Sequence, residues 1–151
     1  MVNFQQLFME SKGQPIQYEG KELKMVDRIP LPAINTSLRI EFVSTDSKWK
    51  QGIVLQTKGD FEVNGQKLPN KIVLWEHTAP KQLEMIVKSK DKTLVIYNVW
   101  ETEDGTIHYW HNGGAFFIEK VNETIIYHCN DGYDDDDFDD LIFKLEYPVP
   151  R

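Results

Sequence analysis

Apolar and polar positions alternate in short runs along most of this chain. Leu38-Arg39-Ile40-Glu41-Phe42-Val43 is the cleanest case, with the two-residue period of a strand that buries one face. Ile53-Val54-Leu55 follows, then Asp60-Phe61-Glu62-Val63 running into Asn64-Gly65, the dipeptide that best signals a two-residue hairpin turn. Runs 71–75, 83–87 and 93–99 are rich in β-branched or aromatic residues. Asp104-Gly105 marks a turn ahead of Ile107-His108-Tyr109-Trp110, and runs 115–118, 124–128 and 141–147 complete the series. The pattern predicts an all-β fold, an antiparallel β-sandwich of about ten short strands. The start of the chain reads differently. Phe4, Leu7 and Phe8 have helical spacing within 1–10, while 11–22 is polar and carries Gly13, Pro15 and Gly20. Residues 1–24 are therefore expected to form an arm or accessory segment with a short helix, and 25–151 the β-sandwich domain.

A length of 151 residues fits that single domain, and the aromatic content suffices for a core. Cys129 has no partner in the chain, so a disulfide scaffold is excluded. No apolar run approaches the ~20 residues of a membrane-spanning helix. The first residues lack a basic segment followed by an apolar one, so the default expectation is a cytoplasmic protein, with export by a signal-independent route left open.

Charge changes the picture more. The formal net charge is −7, and seven aspartates lie within 131–140. Without them the chain is neutral, so the excess charge is one local object. A basic footprint for phosphates is lacking, which argues against nucleic acid as a partner. The run Asn130-Asp131-Gly132-Tyr133-Asp134-Asp135-Asp136-Asp137-Phe138-Asp139-Asp140 sits between two predicted strands, so both its ends are pinned. Crowded carboxylates repel one another, and a divalent cation relieves that repulsion. Calcium takes 6–8 oxygen ligands from flexible loops. Asp135, Asp137 and Asp139 alternate, with Asp140 adjacent, so their side chains could converge on one centre while Phe138 points away and anchors the loop. Magnesium holds its waters and zinc favours nitrogen and sulfur, so calcium is the expected ion. The order of residues is not that of an EF-hand. The plain alternative is a solvated acidic loop that holds no ion.

The same segment, continuing through Leu141-Ile142-Phe143-Lys144-Leu145-Glu146-Tyr147-Pro148, resembles the C-terminal part of the bacterial calcium-dependent fucose/mannose-binding lectins. There an acidic D-G-x-D-x-D-aromatic-x-D loop precedes a final strand ending in an aromatic-Pro pair. Upstream, Leu31-Pro32-Ala33-Ile34-Asn35-Thr36, leading through 38–43 to Ser44-Thr45-Asp46-Ser47, is similar to the first strand of that family and its small polar turn. The resemblance spans 27–151. It implies a compact β-sandwich that binds a pair of calcium ions, coordinates sugar hydroxyls through them and forms a homo-oligomer. Carried over by position, Asp135, Asp137, Asp139 and Asp140 are the main ligands. Asn130 takes the place of an upstream acidic ligand. Asp46, or less directly Thr45, stands for the ligand from the first turn, with Ser47 near the sugar. Whether one ion or two bind, and whether the sugar site is kept, stays open.

Other features add less. Trp49, between Lys48 and Lys50 just after that turn, is a candidate for stacking on a sugar ring, while Trp75, Trp100 and Trp110 fall in strand patterns and are expected in the core. His108 and His111 are expected to be structural, and Gly113-Gly114 to make a turn. Neither a nucleophile motif nor a phosphate-binding loop occurs, so a non-enzymatic protein is expected. Two functions remain: a calcium-binding lectin with a carbohydrate partner, or an acidic protein–protein interaction module of the immunity or effector-neutralising type, steered by charge to a basic partner.

Overall fold

A computed structural model describes residues 4–109, 114–131 and 138–147. The expected helix is present as α1 (Phe4–Glu10). It is followed by a small hairpin, β1 (Ile16–Tyr18) and β2 (Lys21–Leu23), and by β3 (Asp27–Pro30). The main strands are β4 (Asn35–Thr45), β5 (Lys50–Val63), β6 (Gln66–Leu68), β7 (Lys71–Trp75), β8 (Gln82–Glu101), β9 (Ile107–His108), β10 (Ala115–Val121), β11 (Thr124–Asn130) and β12 (Leu141–Glu146). All pairings among them are antiparallel, in the order β10-β11-β12-β4-β8-β5-β6, with β3 and β9 also on β8 and β7 on β5. The fold is an all-β sandwich, as the alternation predicts.

Two pairs of expected short strands are fused. Residues 53–55 and 60–63 belong to the single strand β5, and 83–87 and 93–99 to β8. The two long strands pair with each other almost throughout, with one register break between Thr57 and Gly59. Beyond that break β8 trades its other neighbour, β4 along its first part and β3 along Thr93–Ile96. The break is therefore a corner, where a bulge bends the pair and increases its twist. Gly59 is required there because a Cβ would run into the Lys88 carbonyl. Glu19-Gly20 and Asn64-Gly65 both have two consecutive positive φ angles, the primed turn that suits twisted hairpins.

Alternating residues of the strands fill the main core, among them Leu38, Ile40, Phe42, Ile53, Leu55, Leu94, Ile96, Phe143 and Leu145. A second cluster joins the N-terminal segment to the sheet: Phe4, Phe8 and Leu23 pack with Ala115 and Phe138. Lys24 and Phe116 exchange backbone hydrogen bonds of 2.8 and 2.9 Å, fastening the segment to β10. Among the described residues, no helix is long and apolar enough to cross a membrane.

A buried polar contact braces this region. Tyr127 stacks on Phe143 at 4.5 Å and donates its hydroxyl to Asp27 Oδ2 at 2.7 Å, and Lys24 Nζ lies 3.3 Å from Asp27 Oδ1. Burial, then the Asp27 charge, raises the Tyr127 phenol well above its ordinary value; burial and Asp27 also raise Tyr147. A phenol that keeps its proton longer when folded contributes stability that is complete below its unfolded pKa of about 10 and is lost as pH rises above it. Thermal melts are expected to hold level up to about pH 10 and then fall. Tyr127→Phe should flatten that alkaline fall while costing about 1–3 kcal/mol at neutral pH, because Asp27 loses its buried donor.

Candidate metal centre

Strand register assembles the acidic region. Cys129 at the end of β11 pairs with Leu141 at the start of β12, and Leu141 pairs with Thr45 at the end of β4. The loop after β11 and the turn between β4 and β5 therefore meet at one end of the sandwich. Asp46 N–H donates to the Asp140 carbonyl at 3.2 Å and closes the two together.

Polar side chains are buried where they meet. Asn130 and Asp131 are 0% exposed, Asp140 and Gln51 2%. Asp131 Oδ2 accepts from Ser47 Oγ at 2.6 Å and from Gln51 Nε2 at 2.9 Å. The Asp131 N–H donates to Asp140 Oδ2 at 2.9 Å. Asn130 Oδ1 accepts the Phe138 N–H at 3.4 Å, and its carbonyl accepts from Asn98 Nδ2 at 3.2 Å. Among the described residues, one atom of this network has no hydrogen-bond partner: Gln51 Oε1, buried on the amide whose nitrogen holds Asp131. A buried carbonyl-type oxygen without a donor is costly, and a cation would satisfy it.

Of the residues expected as ligands, Asn130 and Asp140 enter this buried network, and Asp139, half-buried, adjoins it. The Asp46 side chain is exposed; its backbone makes the contact. Asp135 and Asp137 lie outside the described residues. Asp131 and Gln51 are participants that spacing did not single out. Among the described residues, no group of three or more His, Cys, Asp or Glu side chains forms a metal cage. The buried polar atoms of this region are oxygens of two carboxylates, Asp131 and Asp140, and of the Asn130 and Gln51 amides. Such donors suit a hard cation and not zinc. Cys129 adds no soft ligand, since burial and then Asp140 push its thiol well up and keep it protonated.

Phe138 is buried as expected, but against the N-terminal segment. Its ring lies 5.8 Å from Phe4 and 5.4 Å from Phe117, and its φ of 59° is left-handed, rare for a bulky residue. His108 stacks on the buried Trp100 at 6.3 Å, a structural role; His111 and Trp110 lie outside the described residues. Trp75 is half-buried against the core.

Trp49 is partly exposed beside the cluster. Its indole N–H donates to Glu103 Oε2 at 2.6 Å, and it lines an open cavity of about 370 Å³ with Lys48, Lys50, Glu101, Thr102 and Glu103. A backbone hydrogen bond, then the indole N–H, holds the Glu103 carboxyl below its usual range, so it stays ionised. No family model, curated protein or solved structure matches this chain.

Proposed function

We propose that this protein is a calcium-binding β-sandwich that recognises carbohydrate without catalysis. The observation that carries the reading is Gln51 Oε1, buried without a hydrogen-bond partner among the described residues on the amide that holds Asp131, in a region where Asn130 and Asp140 are buried as well. Calcium would be held by Asp131, Asp140, Asn130 and Gln51, and by Asp139 at the margin. The resemblance adds Asp135 and Asp137 from the loop and Asp46 from the turn. The ion would neutralise the carboxylates, order the loop and offer open coordination positions to vicinal hydroxyls, with Ser47 and Trp49 alongside. A fucose- or mannose-like ligand and a homo-oligomer follow from the resemblance alone.

Isothermal titration of the chelator-treated protein is expected to show saturable calcium uptake that magnesium at the same concentration does not reproduce. Absence of uptake at millimolar calcium overturns the metal reading. Uptake combined with a blank glycan array overturns the carbohydrate half alone.

A further inference from the structure

Trp49 is tied to the buried Asp131 through two intermediaries. Ser47 Oγ donates to Asp131 Oδ2 at 2.6 Å and accepts the Trp49 backbone N–H at 3.2 Å. Gln51 Nε2 donates to the same carboxylate oxygen at 2.9 Å and to the Trp49 carbonyl at 3.2 Å. One carboxylate oxygen thus holds both backbone polar groups of a residue that forms the wall of the neighbouring cavity. The indole is fixed in turn by Glu103, and Lys48 Nζ lies 5.8 Å from its ring centroid. A preset aromatic wall beside carboxylates, a hydroxyl and ammonium groups suits a ligand with an apolar ring face and a rim of hydroxyls. The volume, about 370 Å³, lies in the range of small-molecule sites.

We infer that Asp131 is the positioning residue for Trp49, and that the Trp49 cavity is a hexopyranoside subsite whose wall follows the state of that carboxylate. A cation at Asp131 draws electron density from the oxygen that anchors Ser47 and Gln51, so both clamps respond to the ion. Coupling of this kind is reciprocal: sugar at Trp49 changes calcium affinity by the same factor that calcium changes sugar affinity. The calcium response rests on the function proposed above; the clamp does not.

Acrylamide quenching of Trp49, isolated as the difference between the parent chain and Trp49→Phe, tests the two separately. Without calcium, Asp131→Ala should raise the Trp49 quenching constant about twofold, because one network loses both clamps. If Asp131→Ala does not fold, Ser47→Ala removes one clamp at a partly exposed position and should give a smaller rise. An unchanged quenching constant in the folded variant overturns the clamp. Calcium should shift the Trp49 signal in the parent chain and not in Asp131→Ala; calorimetric uptake with no such shift overturns the coupling. Loosening by Asp131→Ala in a protein that takes up no calcium supports the clamp and sinks only the metal reading. Methyl hexopyranosides should bind the calcium-loaded parent, with affinity about tenfold lower in Trp49→Phe, as expected for losing one aromatic contact. Equal affinity, or no saturable binding by the parent at tens of millimolar, overturns the subsite.

Discussion

Asp131→Asn is expected to change rank against the parent chain when calcium is added. The substitution keeps the shape of the side chain and an oxygen able to accept from Ser47 and Gln51. It removes the charge of one of two almost wholly buried aspartates, Asp131 and Asp140, joined through the Asp131 backbone N–H. Taking a charge out of water is expensive. Without calcium the variant should therefore melt no lower than the parent. With calcium the order reverses. A ligand that binds only the folded state stabilises it by about 2.7 kcal/mol at a hundred times its dissociation constant. For a chain of this size that raises the melting temperature by roughly 5–10 °C. The variant, lacking a charged ligand, should gain little of this. Paired scanning calorimetry with chelator and with calcium checks it, and equal calcium-induced rises in both proteins would remove Asp131 from the site.

The sheet was legible wherever strands bury a single face, since alternation is then obligatory. The β4 stretch Leu38–Val43 illustrates it: Leu38, Ile40 and Phe42 are buried, and the residues between them face outward. The corner was not legible. Gln56–Gly59 and Lys88–Lys92 interrupt the apolar pattern, yet β5 and β8 each run on as one element, paired again on both sides of a bulge where Lys92 takes a φ of 56°, and no local pattern encodes that pairing. The hairpin β1–β2 escaped notice because three-residue strands carry too little period to read, and Glu19-Gly20 is a weaker turn signal than Asn64-Gly65. At the candidate site, composition singled out the loop after β11, whose described residues include the buried Asp131 and Asp140. Within a run of aspartates, however, nothing local marks out Asp131, which accepts from Ser47 and Gln51. Gln51 was hidden for a related reason: its burial depends on where the ends of β4, β11 and β12 meet, a property of register between distant segments.

Phe138→Ala should be among the most destabilising single changes in the protein. The ring is 2% exposed and fills the cluster formed with Phe4, Phe8, Leu23 and Ala115, with Phe117 edge-on at 5.4 Å and Lys21 Nζ 5.7 Å from its centroid. Deleting a buried phenyl group costs about 3–5 kcal/mol, a large part of the 5–15 kcal/mol by which domains are stable. Urea unfolding should report that loss. Because the ring packs against Phe4 and Phe8 of α1, hydrogen exchange in Phe4–Glu10 should quicken as well. The backbone supplies an internal control. At a φ of 59°, any L-residue carries a strain of about 1–2 kcal/mol that glycine escapes. Phe138→Gly should therefore be no less stable than Phe138→Ala, the reverse of the usual order for these two residues inside regular structure. A loss below about 1 kcal/mol, the level of an ordinary surface change, would mean that the ring does not anchor the loop. The left-handed turn would then rest on polar contacts such as that of the Asn130 side chain with the Phe138 N–H at 3.4 Å.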